Sequence, residues 1–168
     1  GGTNTWPLAS AELYTPATRA FTTTGSMALL RYSHSATRLA NGKVLVAGGL
    51  TPMFGDYMLP TPTAEIYDPA TGLFSATGTL TVARSGHSAT LLPDGKVLIV
   101  GGDVDGGVVG AIEIYDPVAG TFSDTGLIEE RSGHTTSNLS DGTLLVIGGV
   151  DGGLFEPHAA GDLQEYVM

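Results

Sequence analysis

Cysteine is absent from the 168 residues. That excludes disulfides, thiolate metal sites and cysteine nucleophiles. Charge is scarce as well. Only 14% of residues are Asp, Glu, Lys or Arg, and 17 acids against 7 Lys and Arg give a formal charge of −10. A phosphate backbone needs clustered cations, so no nucleic-acid partner is expected. Anionic membrane surfaces are disfavoured for the same reason. No run is long and apolar enough to span a bilayer, so no membrane insertion is expected. Phosphate loops, nucleophile elbows, paired catalytic carboxylates and HExxH are all missing. No catalytic residue is assigned, and the chain reads as a non-enzyme.

Apolar residues and turn formers are plentiful. The chain is 42% hydrophobic, with 25 Gly and 9 Pro, and its mean hydropathy is +0.17. This much apolar residue can offset the entropy of ordering, so disorder is not expected. The glycines and prolines recur at fixed places, which makes them turn punctuation.

A block of about fifty residues is written three times. Arg31-Tyr-Ser-His34-Ser-Ala-Thr aligns with Arg84-Ser-Gly-His87-Ser-Ala-Thr and Arg131-Ser-Gly-His134-Thr-Thr-Ser. Each is followed by a turn, an aliphatic run and a glycine pair: Gly48-Gly49, Gly101-Gly102 and Gly148-Gly149. Histidines and glycine pairs alike are spaced by 53 and then 47 residues. Such a period signals supersecondary units that bury their apolar faces only against one another.

One copy reads as four antiparallel strands. His87 to Leu92 is followed by the hairpin signal Pro93-Asp94-Gly95. The unbroken apolar run Lys96-Val-Leu-Ile-Val100 is that of a strand covered on both faces. Ala111-Ile-Glu-Ile-Tyr115 alternates and stops at Asp116-Pro117; Thr121-Phe122-Ser123 is the fourth strand. Helices are excluded by prolines and glycines every dozen residues or fewer. The other copies fit, with Leu163 to Tyr166 as the third strand of the last. Gly1-Gly2, Ala11 to Tyr14 and Phe21 form the end of an earlier unit. The expected total is thirteen strands.

The glycine pair, the Tyr-Asp-Pro exit of strand three and the aromatic on strand four together resemble the kelch repeat. Phe21, Phe74 and Phe122 stand where that family usually has Trp. The Arg-x-x-His-x-Ala-Thr and Asp-Gly-Lys-Val-Leu elements are similar to kelch modules of exported microbial and galactose-oxidase-like proteins. The resemblance implies an all-β fold, a kelch-type β-propeller of four-stranded antiparallel blades. Its units would be 1–26, 31–78, 84–126 and 131–168, an incomplete ring, since propellers close with about four to eight blades. Further blades, from the same polypeptide or from another copy, would cover the two lateral faces.

Residues present in every copy are expected to be structural, because a catalytic group is needed only once. That covers His34, His87 and His134, each expected to hydrogen-bond within its own unit. It covers Arg31, Arg84 and Arg131, expected to bond loop carbonyls or to pair with Glu65 or Glu113. It covers Tyr14, Tyr67 and Tyr115 too; the copper site of galactose oxidase uses a cysteine, which this chain lacks. Asp103 and Asp105, alternating before glycine, are the calcium candidate, the sole cofactor considered. Asn138-Leu-Ser140 is a glycosylation sequon at a hairpin.

The loops between strands two and three differ from copy to copy and carry the odd aromatics. Strand alternation puts them on one face of the ring, where variable loops on a rigid scaffold carry function. Trp6, Met53, Phe54, Tyr57, Met58 and Phe155 are the candidate contacts for a protein or glycan partner. The expected function is a non-catalytic scaffold for such a partner, within a larger exported protein. Two alternatives are a structural subunit of an extracellular assembly that completes its propeller between chains, and the propeller domain of a galactose-oxidase-like enzyme whose site lies elsewhere.

Overall fold

The computed structural model describes residues 6–53 and 57–152 in full and 164–166 as a backbone strand. Strands β1 (Glu12–Thr15) and β2 (Ala20–Thr23) form the first sheet. The second holds β3 (Ser35–Arg38) and β4 (Val44–Ala47). A small hairpin, β5 (Leu50–Pro52) and β6 (Met58–Pro60), interrupts it before β7 (Ala64–Asp68) and β8 (Leu73–Ala76).

The third sheet repeats the plan with β9 (Ser88–Leu91) and β10 (Val97–Val100), the hairpin β11 (Asp103–Val104) and β12 (Gly107–Val108), then β13 (Ala111–Asp116) and β14 (Thr121–Leu127). The fourth has β15 (Thr135–Asn138), β16 (Leu144–Ile147) and β17 (Gln164–Tyr166). Strand order follows the chain and all pairing is antiparallel. The thirteen expected strands are all present in these sheets; the two small hairpins lie where loops were expected.

The Asp-Gly hairpins close differently from expectation. Only the glycine takes φ > 0: Gly95 is at 87°, and Asp94 stays in the ordinary region. Gly95 N donates to Leu92 O, and Leu92 N to Lys96 O. This is a type I turn with a glycine bulge rather than a two-residue turn.

The core lies between sheets. Leu39, Leu45, Ala47, Ala64 and Leu80 meet Val97, Ile99 and Tyr115 in one cluster. Leu92, Leu98 and Val100 meet Leu144 and Val146 in the other. Side chains alternate along a strand, so β10 sends Val97 and Ile99 backward and Leu98 and Val100 forward. All four are buried, which is why the run has no polar break. On the outer faces of the end sheets, Tyr14 and Phe21 are exposed at one end and Ile147 at the other.

Candidate functional site

Arg84 and Glu113 are fully buried and paired at 2.7 Å. Arg84 Nη1 donates to the carbonyls of Gly101 and Ala111, and Glu113 accepts from the amides of Thr81 and Val82. Burial lowers the Arg84 pKa, and Glu113 acts against that. Arg31 repeats the arrangement with Gly48 O, Thr63 O and Glu65 Oε1. The guanidinium thus binds the start of strand one to the ends of strands two and three. Both expected partners, carbonyls and carboxylates, are used at once. Arg131 has only a 3.6 Å approach to Glu129 among the described residues.

The histidines bond between units and not within them. His87 Nε2 meets Ser35 Oγ of the preceding sheet at 2.8 Å, and His134 Nε2 meets Ser88 Oγ at 2.9 Å. The glycine pair explains the reach. A Cβ on Gly48 would lie 2.8 Å from His87 Cε1, and one on Gly101 the same distance from His134 Cε1. The second glycine of each pair faces its own histidine: a Cβ on Gly102 would lie 3.0 Å from His87 Cβ. The imidazole therefore fills a notch that only glycine leaves open. Burial, and secondarily Arg84, pushes His87 down to about 3; burial and Arg131 push His134 to about 4. His34, at the front edge, is exposed.

The tyrosines are joints too. Tyr67 and Phe74 stack across strands at 4.9 Å, as do Tyr14 with Phe21 and Tyr115 with Phe122. Tyr67 Oη hydrogen-bonds Thr24 of the preceding sheet, and Tyr115 Oη bonds Thr77.

With those groups engaged, the exposed apolar residues stand out. Trp6, Leu8, Leu30, Tyr32, Met53 and Tyr57 are all between 43% and 67% exposed. They lie on the loops between strands two and three or on the links from strand four to the next unit. Backbone bridges Leu8–Arg31 and Tyr32–Leu50 tie these segments together. Met53 N donates to Tyr57 O at the tip of the β5–β6 hairpin. Met58 is half-buried within that hairpin. Phe54 and Phe155 lie outside the described residues. Leu8, Leu30 and Tyr32 are additions to the sequence-derived set; Leu30 and Tyr32 flank the repeat residue Arg31, which hid them, and Leu8 lies on the first loop without an aromatic ring to mark it.

No family model matches the sequence, and no curated protein matches it. Among solved structures, the chain is similar to that of YjhT, with a TM-score of 0.70 and 15% identity over 83% of this chain and 50% of that one. The chain spans about half the length of the structure it matches. At this identity the likeness is one of fold.

The chain is an arc of a β-propeller. Its four sheets are blades, and the Arg, His and Tyr positions are the joints within and between them. Ser33 O accepts from Gly86 N, and Gly86 O from Gly133 N, so the links that open successive blades are stitched to one another. Asp105 and Gly106 form the turn of the β11–β12 hairpin, and Asp103 lies on β11, bridged to Ser85. Among the described residues no three metal-ligating side chains gather. Asn138 Nδ2 donates to Leu91 O of the preceding blade, so the sequon asparagine is itself part of a joint.

Proposed function

We propose that this chain is a non-catalytic, kelch-type scaffold that presents its hairpin-bearing face to a protein or glycan. The observation that carries the reading is the division of labour among side chains. The buried repeat residues Arg31, Arg84, His87 and His134 are engaged in hydrogen bonds or ion pairs or both, whereas the copy-specific loops expose Trp6, Leu8, Met53 and Tyr57, and Tyr32 is exposed on the adjoining link. Exposed aromatics on rigid hairpins suit binding, because they offer large contact areas at low conformational cost. Pairing within β5–β6 holds Met53 and Tyr57 in register before any ligand arrives. A composition rich in Thr, Ser, Ala and Gly and poor in Lys supports placing it in a larger exported protein. No helix among the described residues is long and apolar enough to cross a membrane.

Shortening residues 50–63 to the length of the 103–110 loop tests the proposal. Ligands are first sought on a glycan array and by crosslinking in the source organism's secreted fraction. The expected result is loss of that binding with the unfolding midpoint unchanged. Binding that survives the truncation refutes the assignment.

A further inference from the structure

Charge is sorted by face. Arg31, Arg84 and Arg131 are buried in the blades. The other cations are Arg19, Arg38, Lys43 and Lys96. Arg19 lies in the β1–β2 turn, Arg38 ends β3, and Lys43 and Lys96 immediately precede β4 and β10. All of them stand at or beside the turns from strand one to two or from three to four. Successive strands are antiparallel, so these turns lie at the opposite end of each blade from the hairpin-bearing face. Asp68, Asp94, Asp116 and Asp141 stand at the same turns and match the cations in number; Lys43 pairs with Asp68 at 2.9 Å. That end is close to neutral.

The hairpin-bearing face differs. Segments 3–10, 24–30, 50–63, 77–83, 103–110, 128–130 and 150–161 contain no Lys or Arg. Among the described residues of that face, Asp105, Glu129, Glu130 and Asp151 are exposed and Asp103 is half-buried. Buried Arg131, which approaches Glu129 at 3.6 Å, offsets one of these charges. The carboxylates adjoin the exposed rings. Tyr32 precedes Ser33, whose carbonyl accepts from Gly86 N at 3.0 Å. Asp103 leans over the same link: a Cβ on Gly86 would lie 2.7 Å from its Oδ2. The next stitch, Gly133 N to Gly86 O at 2.9 Å, leads to the link that carries Glu129 and Glu130. Strands β6 and β11 are in contact, and a Cβ on Gly152 would lie 2.9 Å from Val108 Cγ2. The three loops therefore form one continuous row, aromatic towards Tyr32 and Tyr57 and acidic towards Asp105 and Glu130.

We propose, on the reading of this face as the binding surface, that its partner is a cationic segment of another protein: an extended peptide bearing Arg or Lys beside apolar residues. The carboxylates attract the cations and set their register. The rings of Trp6 and Tyr32 take a guanidinium or ammonium group over their faces, or the apolar residues between the cations. An acidic peptide or anionic glycan is repelled by the same carboxylates. A neutral glycan makes no use of the sorting of charge. The net charge of −10 attracts any cation to some degree, but that attraction does not distinguish one end of the blades from the other.

Fluorescence anisotropy with two short labelled peptides tests the proposal, one of alternating arginine and tyrosine and one with glutamate in place of arginine. The arginine peptide should bind and the glutamate peptide should not. Raising salt from about 50 to about 300 mM should weaken binding by about tenfold. Glu129→Gln with Glu130→Gln should weaken it by roughly threefold or more. Asp94→Asn with Asp116→Asn removes the same charge from the other end and should leave the affinity unchanged. Tyr32→Ala should weaken binding as well, tying the peptide to the aromatic part of the row. Unfolding midpoints verify that the variants are folded. Failure of the arginine peptide to bind overturns the proposal, and so do equal losses from the two pairs of carboxylate variants. A neutral glycan whose binding is lost with Tyr32→Ala, yet is indifferent to salt and to Glu129→Gln with Glu130→Gln, overturns the cationic partner and leaves the face. Indifference to Tyr32→Ala and to both pairs removes the face itself.

Discussion

Gly48 and His87 belong to different blades, yet the imidazole of one occupies the space that any side chain on the other would need. The carbonyl of Arg84 would lie only 2.5 Å from the same Cβ, and Gly48 has φ of 63°. Space and backbone conformation therefore both require glycine here.

Gly48→Ala should cost about 2–4 kcal/mol, adding a steric clash at a packed joint to the strain of left-handed backbone. Gly95→Ala, at a hairpin with φ of 87° and open space around it, should cost only about 1 kcal/mol, from conformation alone. Urea unfolding of the two variants measures the difference. Equal losses would show that the notch carries no packing.

Among the described residues, Ser33 and Arg19 are the two non-glycine residues with positive φ, each at 53°. The other copies have Gly86 and Gly133 where Ser33 stands, and Gly72 and Gly120 where Arg19 stands, all with φ between 61° and 70°. Ser33→Gly and Arg19→Gly relieve a left-handed penalty of about 1 kcal/mol each, less the added freedom of the unfolded glycine. Each should raise Tm by about 1–3 °C in calorimetry. A fall in Tm would mean that the side chains contribute more than their backbone strain removes.

His87 and His134 make stability depend on mild acid. Their folded pKa values, about 3 and about 4, lie below the unfolded value near 6.5. The unfolded chain therefore binds more protons across that interval. Stability is full above about pH 6.5, falls as pH drops towards 4, and continues falling on account of His87 towards 3. At pH 5 each histidine should cost about 2 kcal/mol relative to pH 7.5. Urea unfolding at the two pH values measures this, and His134→Asn should roughly halve the slope over that range.

Most of the architecture was legible because the punctuation repeats. Gly101-Gly102 after an unbroken aliphatic run marks a strand covered on both faces, and Tyr115-Asp116-Pro117 marks the exit of another. The β5–β6 hairpin was not legible: Pro52 and Pro60 read as breakers, although they stand at strand ends where proline is tolerated. The bond from His87 to Ser35 was also hidden, since a repeat shows which residues recur but not whether their partner is in the same unit or the one before. Trp6, Met53 and Tyr57 were singled out because they interrupt the period. Tyr32 was passed over because it sits inside the repeat, although it is a tyrosine where the other copies have Ser85 and Ser132 and, unlike them, is exposed.

Both apolar clusters lie between sheets, so no blade owns a private interior. The two seams that join the second, third and fourth blades are built from the same notch, ring and hydroxyl. Excising one entire unit would bring together two surfaces that already fit, and duplicating one would create a seam identical to its neighbours. Genes for such chains can therefore lengthen or shorten by whole units without inventing a new contact, whereas a deletion of any other length leaves two edges that do not recognise each other.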